Sequence, residues 1–305
     1  MKPKLNVVNE EYTNILENAV LFVKEVHQWG NTKKIPIEKL RKITGKKLSK
    51  WVHSNKGLLD KETIADINSR VAHFRNVFKS YALPFPISTI DMVCINDIEK
   101  CCIEADAAIE AVEEAVKEFL PNYKEYIKLA KEELGEELFD PNDYPDPDDI
   151  KTRFSASYRI VKLGVPSELE KVNPALYKSE MKKFQDTMTE AKNDCILFLR
   201  EAFLKEVKNV IASLTGETED GEQKRIRSET TEKMEKFFEY FQSKNIFQDK
   251  DFFKLIKDTR AIMAGITSKD LRNSEKLKEY ITEEMQKVAE VAEKNIVKFK
   301  RSILL

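Results

Sequence analysis

Ten basic side chains crowd residues 33–61 against only two acidic ones, Glu38 and Asp60. Among them Lys33, Lys34, Lys39, Arg41, Lys42, Lys46, Lys47 and Lys50 are the candidates for contact with a nucleic acid or other polyanion, because each cation set against a phosphate releases a condensed counterion. If the stretch after Pro36 is helical, Lys39, Lys42, Lys46 and Lys50 lie on the side away from Leu40 and Trp51. Residues 97–149 carry the opposite balance, eighteen acidic against five basic. The bland alternative is therefore that the basic face pairs with the acidic helix expected over 97–137, within the chain or in a neighbouring copy.

Other constellations are weaker. Phe237, Phe238, Tyr240, Phe241, Phe247, Phe252 and Phe253 fall within a short span interleaved with lysines. Stacking on bases is one reading, and core packing between two short helices is the other. The run from Asp140 to Asp149 lacks the glycine and the closing glutamate of a calcium loop and reads as helix capping. His27, His53 and His73 share no ligand spacing, and Cys94, Cys101, Cys102 and Cys195 contain no C-x-x-C pair. Gly216 and Gly221 have the first spacing of a phosphate-binding loop, but Glu222 follows where lysine is needed. With no nucleophile elbow either, no catalytic residue, metal site or cofactor is nominated, and the chain is not expected to be an enzyme.

The elements that must carry these residues are mostly helices. The chain has 305 residues, 52 basic against 53 acidic side chains, and only 8 glycines. That scarcity argues against glycine-rich nucleotide folds and turn-dense sandwiches, and the length suffices for one large core or two smaller ones. Asn9–Trp29 fits either a helix or a strand. Ile37, Leu40, Thr44, Leu48 and Trp51 repeat at helical spacing with Gly45 inside the pattern, a weak helix or two short ones. Asp60 caps a helix carrying Ile64, Ile67, Val71, Phe74 and Phe78, and Asn96 with Glu99 reads as a capping box for a stripe running to Phe119. A break belongs at Leu120 before Pro121. Ser157–Leu163 alternates like a strand, and Ser88–Ile95 is its expected partner in a sheet that is small at most.

The clearest element starts at Asn173-Pro174 and runs to Leu214. Tyr177, Met181, Phe184, Met188, Ala191, Cys195, Phe198 and Ala202 step as a heptad, then the seam shifts to Phe203, Val207, Ile211 and Leu214. A second long helix is expected after the capping box Thr267-Ser268-Lys269-Asp270, carrying Leu277, Ile281, Met285, Val288, Ala292, Ile296, Phe299 and Ile303. The expected fold is mainly α: a helical bundle with a long antiparallel coiled-coil arm. Its expected domains are 1–166 and 167–305, with a protease-sensitive linker near 215–227. Tyr177, Met181, Phe184, Met188, Cys195 and Phe198 form the candidate self-association seam, so a homo-oligomer is expected. Met1–Glu10 has no apolar core of a secretory signal, and no run is long enough to span a membrane, so a cytoplasmic protein is expected.

Five short motifs occur in order: Trp29-Gly30-Asn31-Thr32-Lys33-Lys34, Leu83-Pro84-Phe85, Phe119-Leu120-Pro121-Asn122-Tyr123, Asp143-Tyr144-Pro145 with Arg153-Phe154, and Phe247-Gln248-Asp249. Over roughly 29–265 the chain resembles a family of uncharacterised bacteriophage proteins often encoded beside a MoxR-like AAA+ ATPase. Asn31 and Phe85 stand where that family commonly has arginine and tryptophan. The resemblance implies a phage or mobile-element setting in a bacterial host cell and an AAA+ ATPase partner, and it supplies no catalytic residues. The function expected is a non-catalytic scaffold or adaptor acting through self-assembly and protein contacts. The alternative is a nucleic-acid-binding accessory factor that uses the basic 33–61 segment.

Overall fold

The computed structural model describes residues 17–216, 230–247 and 249–303. The expected linker therefore lies, from residue 217 onward, outside the described residues, as does the middle of the Phe247-Gln248-Asp249 motif. The fold is mainly helical, with a small four-stranded sheet in the N-terminal half.

The strands are β1 (Ala19–His27), β2 (Thr32–Lys34), β3 (Asn55–Gly57), β4 (Ala82–Leu83), β5 (Ile90–Cys94) and β6 (Ser155–Val161). The helices begin with α1 (Ile37–Thr44), α2 (Ala65–Tyr81), α3 (Ile98–Phe119), α4 (Tyr123–Leu138), α5 (Pro147–Thr152) and α6 (Glu168–Val172). They continue with α7 (Pro174–Thr215), α8 (Thr230–Lys244), α9 (Lys250–Met263), α10 (Ser268–Asn273) and α11 (Glu275–Ile303). The sheet runs in the order β4-β5-β1-β6, so β5 and β6, expected to pair, are instead separated by β1. Of the stretch Asn9–Trp29 that fits both helix and strand, Ala19–His27 is strand, in keeping with its closely spaced β-branched Val20, Val23 and Val26, and residues 9–16 lie outside the described residues.

The chain forms two compact units, each discontinuous in sequence. The first takes in the described residues of Met1–Leu21, Ala82–Asn96 and Lys162–Leu305, and the second Phe22–Tyr81 and Asp97–Val161. Residues 82–96 thus group with the long helices, whereas the sequence places them in the N-terminal half.

In the second unit α2 packs on α3, and β6 packs on α3 as well. Ala105 and Ala108 on α3 are buried, and such small side chains let two helices approach closely. Phe22, Phe74 and Phe78 are fully buried, with ring centroids 5.5 Å apart in successive pairs, each burial worth roughly 1.5–3 kcal/mol. The capping box expected at Asn96 and Glu99 does not form: α3 starts at Ile98, behind a 3-10 turn over Ile95–Asp97, without a side-chain cap. A second 3-10 turn over Leu120–Asn122 marks the break expected before Pro121.

In the first unit α7 is the 42-residue element expected from the sequence, capped by Asn173, whose side chain accepts from the Leu176 N–H, and stopped by Gly216 at φ 87°. It packs against α11, and ion pairs Glu201–Lys300 (2.7 Å) and Lys208–Glu293 (2.9 Å) fix the two as antiparallel. The buried stripe on α7 passes through Met188, Ala191 and Cys195, then Leu199, Phe203, Val207, Val210 and Leu214. It departs from the heptad at Cys195, earlier than the shift expected after Ala202, because a helix of 3.6 residues per turn drifts off a strict seven-residue repeat. Phe198 is left 38% exposed. The expected second long helix is two elements: the Thr267–Asp270 capping box caps only α10, and α11 restarts behind Ser274, whose hydroxyl accepts from Leu277 N–H. Of the clustered aromatics, Phe238, Phe241 and Phe252 are buried core, and Phe252 meets Phe203 edge-on.

Arg200 on α7 is, with Lys244, one of the buried cationic side chains of this unit. Its guanidinium grips Asp249 with Nε at 2.9 Å and Nη2 at 3.0 Å, and donates from Nη1 to the Asn295 carbonyl on α11 at 3.1 Å. It also lies over the rings of Phe252 and Phe299. Asp249 in turn caps α9 by accepting from Phe252 N–H, so one ion pair fastens α7, α9 and α11.

Candidate functional site

Within the second unit the basic segment is bracketed by one short ladder. β2 and β3 pair antiparallel, with Thr32 opposite Gly57, Lys33 opposite Lys56 and Lys34 opposite Asn55. Asn31 extends that ladder, since its side-chain amide donates to the Leu59 carbonyl and its Oδ1 accepts from the Leu59 N–H, both at 2.7 Å. The residues between the two strands form a lobe made of α1 and the loop that follows it.

Like charges directly opposite on paired strands repel, and Lys33 and Lys56 are such a pair. The Asp143 carboxylate relieves the repulsion, with Oδ1 3.0 Å from Lys33 Nζ and Oδ2 2.7 Å from Lys56 Nζ. Lys56 is buried and also donates to the Leu138 carbonyl, so the desolvated ammonium is paired and hydrogen-bonded, as burial of a charge requires. Burial pushes the Asp143 carboxyl up, but the hydrogen bonds and charges of Lys56 and Lys33 outweigh it and hold the group below the ordinary carboxylate range. The neighbouring Tyr144 donates to the Leu58 carbonyl at 2.8 Å and stacks on Phe139. Burial pushes its hydroxyl up to about 12. The ladder is thus pinned to the loop at 138–144.

Basic and acidic stretches do meet: Asp143 pairs with Lys33 and Lys56 at the ladder, and α1 lies against α4. Lys34, Lys39, Lys42, Lys46 and Lys47 are exposed and make no ion pair among the described residues. Arg41, nominated for anion contact, is turned inward: Nη2 donates to the Leu48 carbonyl at 2.9 Å, Nε to the same oxygen at 3.3 Å, and Nη1 meets Glu38 at 3.4 Å. It holds the loop after α1 in place.

Gly45 does not sit inside a helix. It is the left-handed C-cap of α1 at φ 63°, and its N–H closes on the Arg41 carbonyl. Lys46 and Lys50 therefore lie on a loop, not on the helical face expected from their spacing, and Lys47 lies on the same loop. Trp51, which the same spacing assigns to an apolar stripe, is 80% exposed, with Lys50 Nζ 6.0 Å from its ring centroid. Ile43 and Val52 are also exposed on the lobe. At its base Lys33, Lys34, Lys39 and Lys56 line an open cleft of about 330 Å³ together with Asp140 and Asp143.

Of the six self-association residues Phe198 is exposed, and the other five divide into two groups. Met188 and Cys195 are fully buried within the chain, and Cys195 Sγ donates to the Pro84 carbonyl at 3.2 Å while burial pushes its thiol up. Tyr177, Met181 and Phe184 are half-buried, on a stretch of α7 that has no buried residue before Met188. The three histidines are exposed, and no cluster among the described residues is arranged to hold a metal ion. No helix among them is long and apolar enough to cross a membrane. Comparison with known proteins finds no match to this chain: no family model, no curated protein and no solved structure.

Proposed function

We propose that the chain is a non-catalytic scaffold or adaptor that works through self-association and protein–protein contacts of its long helix. The observation that supports this reading is the start of α7. From Pro174 to Thr187 no residue is buried, yet Tyr177, Met181 and Phe184 follow one another along one face, and Leu176 beside them is 44% exposed. An amphipathic helix gains most of its stability from covering such a stripe, and in this reading a second copy covers it. The phage or mobile-element setting and an AAA+ ATPase partner rest on the sequence resemblance alone.

Light scattering after size exclusion tests the reading. The wild type is expected to exceed the 35.4 kDa of one chain at micromolar concentration. Tyr177→Asp with Phe184→Asp should return it to one chain with the helical signal retained, because neither side chain is part of the buried core. Met188→Asp should lower the helical signal instead. A wild type that stays a single chain at every concentration refutes the self-association.

A further inference from the structure

We infer that the lobe between β2 and β3 docks single-stranded nucleic acid, with Trp51 as a base-stacking platform and the lysines around it as phosphate contacts. This goes beyond the adaptor reading and stands independently of it.

Two independent observations meet on this lobe. The first is charge. Lys34, Lys39, Lys42, Lys46 and Lys47 are exposed without a carboxylate partner among the described residues, while Asp143 is already spent on Lys33 and Lys56, and Glu38 on Arg41. What remains toward solvent is a track of ammonium groups that runs from the cleft to the loop tip. The second is an indole 80% exposed beside Lys50. A large aromatic surface held in water is unfavourable by the same transfer free energy that buries Phe74 and Phe78, and no described residue covers it.

The combination selects among polyanions. Stacking an unpaired base on an aromatic face is sequence-tolerant, and single-strand binders combine such faces with a cationic groove. In a duplex the base faces are taken up by their neighbours, so Trp51 would have nothing to stack on except an end. An anionic bilayer would accept Trp51 and Ile43, but a flat surface cannot follow Lys34 and Lys39 into the cleft they line together with Asp140 and the paired Asp143, whereas the phosphates of a flexible strand can reach these two lysines.

The test uses the full chain and oligo-dT of about 20 nucleotides, longer than a typical single-domain footprint. Binding at low salt should quench indole fluorescence, and Trp51→Ala should weaken affinity by roughly 5- to 150-fold, the range for loss of one stacked base. Because Trp51 packs against little, that variant should fold as the wild type does, which its far-UV spectrum checks. Changing Lys42, Lys46, Lys47 and Lys50 to Gln should reduce the slope of log affinity against log salt by about 2–3, roughly 0.7 for each phosphate no longer neutralised. Three results overturn the inference: no binding of oligo-dT at about 50 mM salt; affinity unchanged in Trp51→Ala; or a Trp51 emission shift on phosphatidylserine vesicles and none on oligo-dT.

Discussion

The buried pair Arg200–Asp249 makes a sharp claim about what holds the first unit together. Both side chains are about 10% exposed. Asp249→Ala leaves the guanidinium with only the Asn295 carbonyl and two aromatic faces, and it also removes the α9 cap. Breaking a buried pair by deleting one partner costs about 3–5 kcal/mol, and loss of an N-cap about 1 kcal/mol more. With a urea dependence of about 2–3 kcal/mol per molar, the midpoint should fall by about 1.5–3 M. The probe matters, because both tryptophans, Trp29 and Trp51, belong to the second unit. Far-UV circular dichroism, most of whose helical signal comes from the helices of the first unit, should therefore report the shift, while indole fluorescence should follow a transition the substitution leaves in place. Arg200→Met combined with Asp249→Ala should cost clearly less than the sum of the two single changes, because no charge is then left stranded. Additive losses, or a loss below about 1 kcal/mol for Asp249→Ala, would falsify the assignment of this pair as the fastening between α7, α9 and α11.

Two further outcomes follow from the same structure. Asp143 has a depressed folded-state pKa, so its contribution is fully present above the unfolded carboxylate value of about 3.9 and is lost as pH falls through the folded value. Asp143→Asn should accordingly flatten the acid limb of stability for the second unit, and an unchanged limb in pH-dependent denaturation argues against the clamp on Lys33 and Lys56. Of the four cysteines only Cys102 is not buried. A thiol-reactive dye should label one site in the native protein and the remaining three after unfolding, and rapid native labelling of Cys195 would contradict its packing beneath Pro84.

What the sequence makes legible is local. Asn173-Pro174 announces the start of α7 because an N-cap and a proline at the first helical position are chemically matched to that place. The pair α7 and α11 is readable because long apolar stripes require one another. Gly45 and Ser274 are harder: Gly45 interrupts an apolar repeat that continues on paper, Ser274 parts the capping box from the repeat that begins at Leu277, and only the left-handed φ of one and the new cap at the other reveal the stop. Trp51 is misplaced by its spacing for the same reason, since a repeat extended past Gly45 puts it on a face that does not exist. The ties Lys56–Asp143 and Arg200–Asp249 have no local signature, since their partners are dozens of residues apart and look like any other surface charges in a chain that is 34% charged. The exposed lysines are identifiable as a group, but which of them are held and which stand open depends on those ties.

The interleaving of the two units sets an order of events during synthesis. The second unit needs nothing beyond Val161, so it can condense while the ribosome is still far from the end of the message. The strand segment 82–96 belongs elsewhere: Met92, Val93 and Cys94 are fully buried, and the stretch that meets it around Pro84 lies at Cys195 on α7. About 100 residues separate the two, so at about 5–20 residues per second this apolar strand waits for about 5–20 s before its cover emerges. During that interval the nascent chain offers a short sticky segment to chaperones or to neighbouring chains on the same polysome. Slowing elongation between 100 and 195 should lengthen that window and increase aggregation of newly made protein without altering the stability of the finished fold.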